Sequence, residues 1–213
     1  WKLEHSMSKL QVDQLSKTSA GADTFVLPAA DGTAGQYMKT DGSGALSFGT
    51  VAGGLAQFSQ WRLTADFTGD AAPIASNLAE VATPVGFGKL PDEAAGGSNS
   101  MAESSGIFTF PSTGYWLIKF HFIFKANTVG IINSGRISTT IDNGTYANAA
   151  WSSIGLSAAN HESGNTAEYI FDVTDTTQCK CRFDIDVTEA PCTTKGDTAE
   201  NETSMTFIKL ADT

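Results

Sequence analysis

Charge is scarce in this sequence, and positive charge most of all. Only 17% of the 213 residues are Asp, Glu, Lys or Arg, and 13 basic residues face 23 acidic ones. The basic residues form no cluster that could follow a phosphate backbone, so nucleic acid is not an expected partner. The formal net charge of −10 favours solubility and selects no function. No apolar run is long enough to cross a bilayer and no signal peptide is recognisable, so membrane insertion is not expected.

Cysteine is also rare, which limits disulfides and metal sites. The chain has three cysteines, and an odd number does not complete a disulfide framework. Cys179 and Cys181 alternate with Phe183 along CKCRFDIDV, so both thiols are expected to point inward as small apolar groups. Cys192 either stays free or forms a bridge to one of them. The C-x₂₋₄-C spacing of a zinc site is missing.

The groupings that hydrolytic catalysis needs are missing as well. The three histidines lie in unrelated segments, with no Gly-x-Ser-x-Gly elbow to build a triad around. Asp184 and Asp186 form a pair of carboxylates, which a glycosidase requires at a defined separation. On a strand they alternate with Lys180 and Arg182, so we interpret them as a solvated charge ladder. No catalytic, cofactor-binding or metal-ligating residue is predicted, and the protein is expected not to be an enzyme.

What the sequence does contain is turn signals and alternation. Gly, Ser, Thr, Ala and Asn dominate its polar side, a composition typical of an all-β chain. From Gln57 onward, about eight to ten short alternating stretches are separated by turns, which predicts an all-β sandwich or jelly roll. The predicted strands are Phe58–Phe67, Ile74–Val85, Ile107–Phe110, Tyr115–Lys125, Arg136–Ile141, Trp151–Leu156, Ala167–Val173, Cys179–Val187 and Thr203–Leu210. Leu90–Ser105 is predicted to be an exposed loop.

The stretch Tyr115–Lys125 is the centre of this pattern. One of its faces is wholly apolar and carries Trp116, Ile118, Phe120, Phe122 and Phe124. The opposite face also carries large apolar residues, although an antiparallel sheet commonly leaves that face to water. This second face is covered either by a loop of the same chain or by another copy of the protein.

The first 54 residues differ from the rest. Residues 1–6 (WKLEHS) precede Met7-Ser8-Lys9, which reads as a natural start, so we interpret them as an expression remnant. In residues 7–54, short apolar stretches are separated by turn signals such as Asp41-Gly42. Such a segment is either disordered or ordered by winding with neighbouring chains into a stem. Val51–Gly54 predicts a flexible joint, so the expected domains are an attachment segment over 7–54 and a head over 55–213.

Within the attachment segment, Leu27–Gly49 reads LPAADGTAGQYMKTDGSGALSFG. It resembles a phrase of the form LPxxDGTxGQxLxTDGxGxLSF from bacteriophage fibres and other virion proteins, where it lies between an attachment segment and a terminal head. The resemblance covers a small part of the chain. It implies that residues 7–54 dock to other virion proteins.

A second resemblance lies in the rest of the chain. The phrase F-x-x-P-x-x-G-x-W-x-I is formed by Phe108, Pro111, Gly114, Trp116 and Ile118. It is followed by two strands joined at a turn with Asp175, and by a closing strand at the C-terminus. These features, over Gln57–Thr213, resemble the globular head of the complement C1q and tumour necrosis factor (C1q/TNF) superfamily. The last strand departs from the family, because Met205–Ile208 stands in place of a Phe-Ser-Gly-Phe type phrase, which bears on the packing at the axis.

The C1q/TNF resemblance implies a homotrimer, in which the outer face of the inner sheet packs about a threefold axis. The alternation agrees, because apolar side chains stand where a monomer would expose polar ones. The predicted trimer interface consists of Tyr115, Leu117, His121, Ile123, Ile170, Ile208 and Leu210. Members of the family sometimes hold calcium, so a calcium ion at unassigned residues is left open, and no other cofactor is expected.

Together the two resemblances predict a non-enzymatic virion structural protein. It would be a short trimeric fibre, or a head or tail decoration, that projects its jelly-roll head for adhesion to the host surface. We expect it on the surface of the extracellular particle, after synthesis in the host cytoplasm. Contacts to a host glycan or protein are expected from the loops Leu90–Ser105, Asp142–Ala147 and Ser157–Thr166. Two alternatives stay open: a capsid cement protein that stabilises the shell without binding a receptor and, ranked below it, a fibre-borne polysaccharide depolymerase.

Overall fold

Strands and the turns between them make up the regular structure of this protein. A computed structural model describes residues 14–16, 24–50, 57–81, 100–127, 131–187 and 192–213. In these ranges there is no helix, and therefore none long and apolar enough to cross a membrane. The chain divides into a first unit, Trp1–Gly54, and a second unit, Leu55–Thr213.

The first unit is built from short hairpins. Its strands are β1 (Gln14–Ser16), β2 (Thr24–Val26), β3 (Gln36–Thr40) and β4 (Leu46–Thr50). β1 pairs with β2 and β3 pairs with β4, both antiparallel. The turn between β3 and β4 is held by Asp41, whose Oδ1 accepts hydrogen bonds from the N–H groups of Ser43 (2.8 Å) and Ala45 (3.1 Å). No described side chain of this unit is buried, so the described part of the unit has no core of its own.

The second unit is a sandwich of two antiparallel sheets. Its strands are β5 (Phe58–Leu63), β6 (Phe67–Thr68), β7 (Leu78–Glu80), β8 (Ala102–Ser104), β9 (Ile107–Thr109), β10 (Gly114–Ala126), β11 (Ile131–Thr140), β12 (Ala147–Leu156), β13 (Glu162–Val173), β14 (Lys180–Val187), β15 (Cys192–Thr194) and β16 (Ser204–Ala211). The outer sheet has the order β12-β11-β14-β9-β8. In the inner sheet, β13 pairs with one edge of β10, and β16 followed by β15 pairs with the other edge; β5 and β7 continue beyond β16. The predicted all-β jelly-roll sandwich is confirmed.

β10 is the central strand, as its sequence predicts. Its five large inward side chains, from Trp116 to Phe124, are all fully buried. They pack against aromatic rings of the facing sheet: the centroids of Phe120 and Phe183 lie 4.9 Å apart. Within that facing sheet, the centroids of Phe108 and Phe183 lie 5.3 Å apart. The alternation of residues along this one strand therefore predicted which of its side chains form the centre of the core.

The corner before β10 explains the glycine of the F-x-x-P-x-x-G-x-W-x-I phrase. Gly114 has φ +134°, and a Cβ at this position would lie 2.4 Å from the carbonyl oxygen of Ala211. Only glycine combines this backbone conformation with such a close approach of the last strand. The corner is also tied to the core, because the indole Nε1–H of Trp116 donates to the carbonyl oxygen of Ser112 (3.2 Å).

Several predicted strand boundaries are wrong, most clearly around residues 100–105. That part of the predicted loop Leu90–Ser105 contains the buried Met101 and strand β8, while residues 90–99 lie outside the described residues. β8 and β9 form a hairpin because Ser105 (φ 54°) and Gly106 (φ 82°) both adopt the left-handed conformation of a two-residue turn. The pair Ser105-Gly106 in the sequence was therefore a signal for a β-hairpin at this position.

Other strands begin or end elsewhere than predicted because of their partners. The strand predicted over Phe58–Phe67 stops at Leu63, where the N–H of Thr64 donates to the carbonyl oxygen of Asn77 instead of a neighbouring strand. β13 begins at Glu162, so the predicted loop Ser157–Thr166 ends early. Its first residues keep the register of β10 up to the pair Lys125 and Glu162. The strand predicted over Ile74–Val85 is reduced to β7, and residues 82–85 lie outside the described residues.

The strand β14, together with Cys179 directly before it, carries two of the cysteines and the predicted charge ladder. The predicted inward face is confirmed, since Cys179, Cys181 and Phe183 are buried, and all three cysteines of the chain are free thiols. The predicted solvation of the ladder is wrong, because Lys180 and Asp184 are also buried. The Lys180 ammonium donates to the carbonyl oxygen of Thr176 (2.6 Å), which satisfies it beneath the surface.

Candidate functional site

The outward face of the inner sheet carries an apolar row across four strands. Leu117 of β10 lies directly opposite Ile170 of β13 and directly opposite Ile208 of β16. Ile208 in turn lies opposite Phe58 of β5. Directly opposed residues point to the same side of a sheet, so these four side chains share the outward face.

Two further apolar side chains extend this row toward the C-terminus. Tyr115 follows on β10, and Leu210 lies at the bulge where the pairing of β10 with β16 shifts register. Tyr115 is 41% exposed, Leu210 51% and Ile170 57%. We define the apolar patch as Phe58, Tyr115, Leu117, Ile170, Ile208 and Leu210.

The next row on the same face is polar and satisfied within the sheet. The Lys119 ammonium lies 2.8 Å from a carboxylate oxygen of Glu168, directly across from it on β13. On the other side, the Gln60 side-chain amide donates to the hydroxyl of Thr206 (2.9 Å). Surface ion pairs of this kind contribute little to stability. The polar groups of this row nevertheless have partners within the sheet. The row therefore forms a polar band that borders the apolar patch on one side.

His121 lies beyond this polar band. Its Nδ1 forms a hydrogen bond with the hydroxyl of Thr166, its direct neighbour on β13, at 3.0 Å. Partial burial lowers the pKa of His121, and a hydrogen bond with the backbone of Asn165 opposes that effect. The imidazole is therefore mainly neutral at pH 7.

The structure brings five of the seven predicted interface residues together. Tyr115, Leu117, Ile170, Ile208 and Leu210 lie in the apolar patch, while His121 and Ile123 lie past the polar band on the same face. Sequence reasoning missed Phe58, although its alternation with Trp61 already placed it on the opposite face from the core. The use of the apolar patch as a trimer interface stays a prediction.

The residues considered for catalysis lie on different sheets. His121 is on the inner sheet, whereas Asp184 and Asp186 are on the outer sheet. Asp70, an acidic residue beside a glycine in a turn, accepts a hydrogen bond from the N–H of Val187 (2.7 Å). Among the described residues, no three His, Cys, Asp or Glu side chains come together as metal ligands.

One predicted contact loop, Asp142–Ala147, is a preformed turn. Asp142 Oδ1 accepts hydrogen bonds from the hydroxyl of Thr140 (2.6 Å) and from the N–H groups of Thr145 (2.8 Å) and Gly144 (2.9 Å). These bonds, that of Thr140 first, lower the pKa of Asp142 to about 2. The Asp142 carboxylate therefore stays charged and holds the backbone of the turn at any physiological pH.

Comparisons with known proteins identify the fold. No family model matches the sequence, and no curated protein matches it. Among solved structures, Eiger TNF from S. frugiperda is similar, with a TM-score of 0.52 and 12% identity, over 74% of this chain and 94% of that chain. Murine APRIL at pH 5.0 gives a TM-score of 0.45 and 11% identity, over 72% of this chain and 100% of that chain. The first likeness shows that the second unit has a TNF-like jelly-roll fold.

Proposed function

We propose that this protein is a non-enzymatic structural protein of a virus particle, which assembles as a homotrimer and projects its jelly-roll head for adhesion to the host surface. The observation that carries the proposal is the apolar patch on the outward face of the inner sheet. A patch of this kind on a protein with net charge −10 marks a surface that another protein covers.

The energy available from this surface favours assembly. Full burial of an exposed aliphatic or aromatic side chain contributes about 1.5–3 kcal/mol. Ile170, Leu210 and Tyr115 are about half exposed, so each has about half of that to contribute in every copy. The resemblance to C1q/TNF heads supports three copies, since it implies that this sheet face packs about a threefold axis.

The first unit supports an assembly of several chains. Among its described residues, the large exposed apolar side chains are Leu15, Phe25, Val26, Tyr37 and Met38. Since none of its described side chains is buried, neighbouring chains can supply the core that the unit lacks.

The phrase at Leu27–Gly49 supports the viral part of the proposal and a location on the particle surface, with residues 7–54 attached to other virion proteins. Because several heads on one particle would bind the host at the same time, weak individual contacts would give a high overall avidity.

The test is the mass of the full chain in solution, measured by light scattering behind a sizing column. We expect a mass near three times 22.4 kDa for the wild type. Ile170→Asp places a charge in the apolar patch and should yield a monomer. Ile141→Asp is the matched control, because Ile141 is 72% exposed in a turn outside the patch, and it should leave the trimer intact.

A wild-type monomer, or a trimer that survives Ile170→Asp, would contradict the assembly. The place of the protein on the particle is a separate test, by labelling purified virions with an antibody to the head and imaging them by electron microscopy. Labels at tail tips support adhesion. Labels over capsomer junctions would replace adhesion by a cement role, and unlabelled virions would contradict the viral role.

A further inference from the structure

A large aromatic side chain stands on the outward face of the other sheet. Trp151 of β12 is 65% exposed, and it lies directly opposite Arg136 of β11. Arg136 in turn lies directly opposite Asp184 of β14. An exposed tryptophan beside an arginine is the composition of a binding surface more than of an ordinary solvent face.

The polar groups around Trp151 are held in place by one another. Arg136 forms an ion pair with Asp186. Arg182 Nε lies 3.3 Å from Asp184 Oδ1, and the Arg182 guanidinium carbon lies 4.7 Å from the centroid of the Tyr146 ring. A flat guanidinium stacked on an aromatic ring and paired with a carboxylate has little freedom left.

A buried carboxylate lies beneath these groups. Asp184 is only 5% exposed, and its Oδ2 accepts a hydrogen bond from the hydroxyl of Ser138 (2.6 Å). The side-chain amide of Asn148 lies 3.1 Å from the same hydroxyl. Among the described residues, Asp184 Oδ1 has no hydrogen-bond donor, and Arg182 is its ion-pair partner. Burying the charge of Asp184 costs stability. We therefore interpret Asp184 as a residue that holds Ser138 and Arg182 in position.

The charges of this surface indicate the kind of ligand. Arg136 and Arg182 are balanced by Asp184 and Asp186, so the surface has fixed hydrogen-bonding groups but no excess charge. The whole protein has a net charge of −10, which disfavours an anionic ligand. A neutral polyhydroxylated ring fits: its C–H face can pack on the indole, and its hydroxyls can bond to carboxylate, guanidinium and amide groups.

We infer that the outer-sheet face formed by Trp151, Arg136, Asp186 and Asn148 binds a neutral saccharide. Trp151 supplies the stacking surface, Asp186 and Arg136 bond the hydroxyls, and Asp184 acts as a positioning residue through Ser138 and Arg182. The inference rests on the proposed adhesive role and names its ligand class. It locates the contact on strands of the outer sheet and not on the predicted contact loops.

The first experiment uses the full chain on an array of neutral and acidic glycans, each displayed in many copies. We expect wild type to bind one or more neutral glycans. Trp151→Ala should weaken that binding by at least about tenfold, which corresponds to about 1.4 kcal/mol. Ile132→Ala is the matched control, because Ile132 is 63% exposed on the same sheet, on the strand that faces Trp151, and it should bind like the wild type.

A second measurement reads a single head and does not depend on assembly. The indole N–H signal of Trp151 is identified in the NMR spectrum by its loss in Trp151→Phe, and the terminal sugar of the bound glycan is then added to Ile170→Asp. We expect the Trp151 signal to shift while that of the buried Trp116 stays in place.

Binding to no neutral glycan, binding to acidic glycans alone, or equal binding by Trp151→Ala would overturn the inference. These outcomes are distinct from failure of the proposed function. A monomeric wild type that still binds sugar through Trp151 would refute the trimer and leave this inference standing.

Discussion

Replacing Gly135 with alanine is expected to destabilise the head, because the core has no room for one more carbon atom. Gly135 of β11 points into the sandwich beneath the rings of β10. A Cβ at this position would lie 2.3 Å from Cδ1 and 2.4 Å from Cε1 of Phe122, and 2.9 Å from Cε1 of Phe120. Both rings are fully buried, so neither can turn away into solvent.

The size of the effect follows from these contacts. Overpacking a well-packed core costs about 1–3 kcal/mol. Alanine offsets about 0.4–1 kcal/mol of this by lowering the entropy of the unfolded chain. We therefore expect a net loss of about 1–2 kcal/mol in the free energy of unfolding, and a fall of roughly 2–4 °C in Tm for each kcal/mol in a domain of this size.

The assay is chemical and thermal unfolding at one fixed protein concentration, because assembly makes the midpoints depend on concentration. Gly144→Ala is the matched control, since its Cβ would meet nothing closer than 3.6 Å, and it should change stability by less than about 0.5 kcal/mol. Phe122→Leu removes ring atoms from the point of contact, so Gly135→Ala combined with Phe122→Leu should be more stable than the sum of the two single changes predicts. Wild-type stability in Gly135→Ala, or simple additivity in the double variant, would refute the reasoning.

Two further predictions concern titrating groups. Burial holds the pKa of His121 below its ordinary value, so the unfolded chain takes up the proton first; stability is complete above about pH 6.5 and falls as the pH drops below that value. His121→Gln should lose less stability than the wild type between about pH 7 and 5, and parallel curves would contradict this. Burial also raises the pKa of Cys181 far above its ordinary value, so the native thiol should react with a disulfide reagent only when the protein unfolds. Rapid labelling of Cys181 in the folded protein, read by peptide mass, would contradict the inward placement.

The two sheet faces divide the work that we propose for the head. The apolar patch of the inner sheet exposes apolar side chains, and the polar side chains beside it are already paired with each other. Such a surface suits contact with copies of the same chain. The face around Trp151 has paired charges and an exposed ring, which suits a polar ligand. Because the two faces lie on opposite sides of the sandwich, assembly through one leaves the other open.

Alternation could be read from the sequence wherever a strand has one buried face. It placed Trp116 to Phe124 in the core and Cys181 beside Phe183, and the structure agrees. It failed at Lys180 and Asp184, which are on the outward face and are nevertheless buried. Asp184 accepts a hydrogen bond from Ser138 of the neighbouring strand β11, and a single strand carries no information about its neighbours.

The sequence by itself determined the all-β class, the central strand and its inward face, because these depend on a residue's nearest neighbours along the chain. It also contained the glycine of the corner before β10, where the backbone requires it. Only the tertiary structure decided which residues share a row. The line Ile170, Leu117, Ile208 and Phe58 joins positions up to 150 residues apart through the register of four strands. The same holds for Trp151, Arg136 and Asp184 on the outer sheet. The register of each strand depends on how the two sheets pack and on how the strand pairs with its neighbours. A surface formed by residues aligned across several strands is therefore defined only by the folded structure.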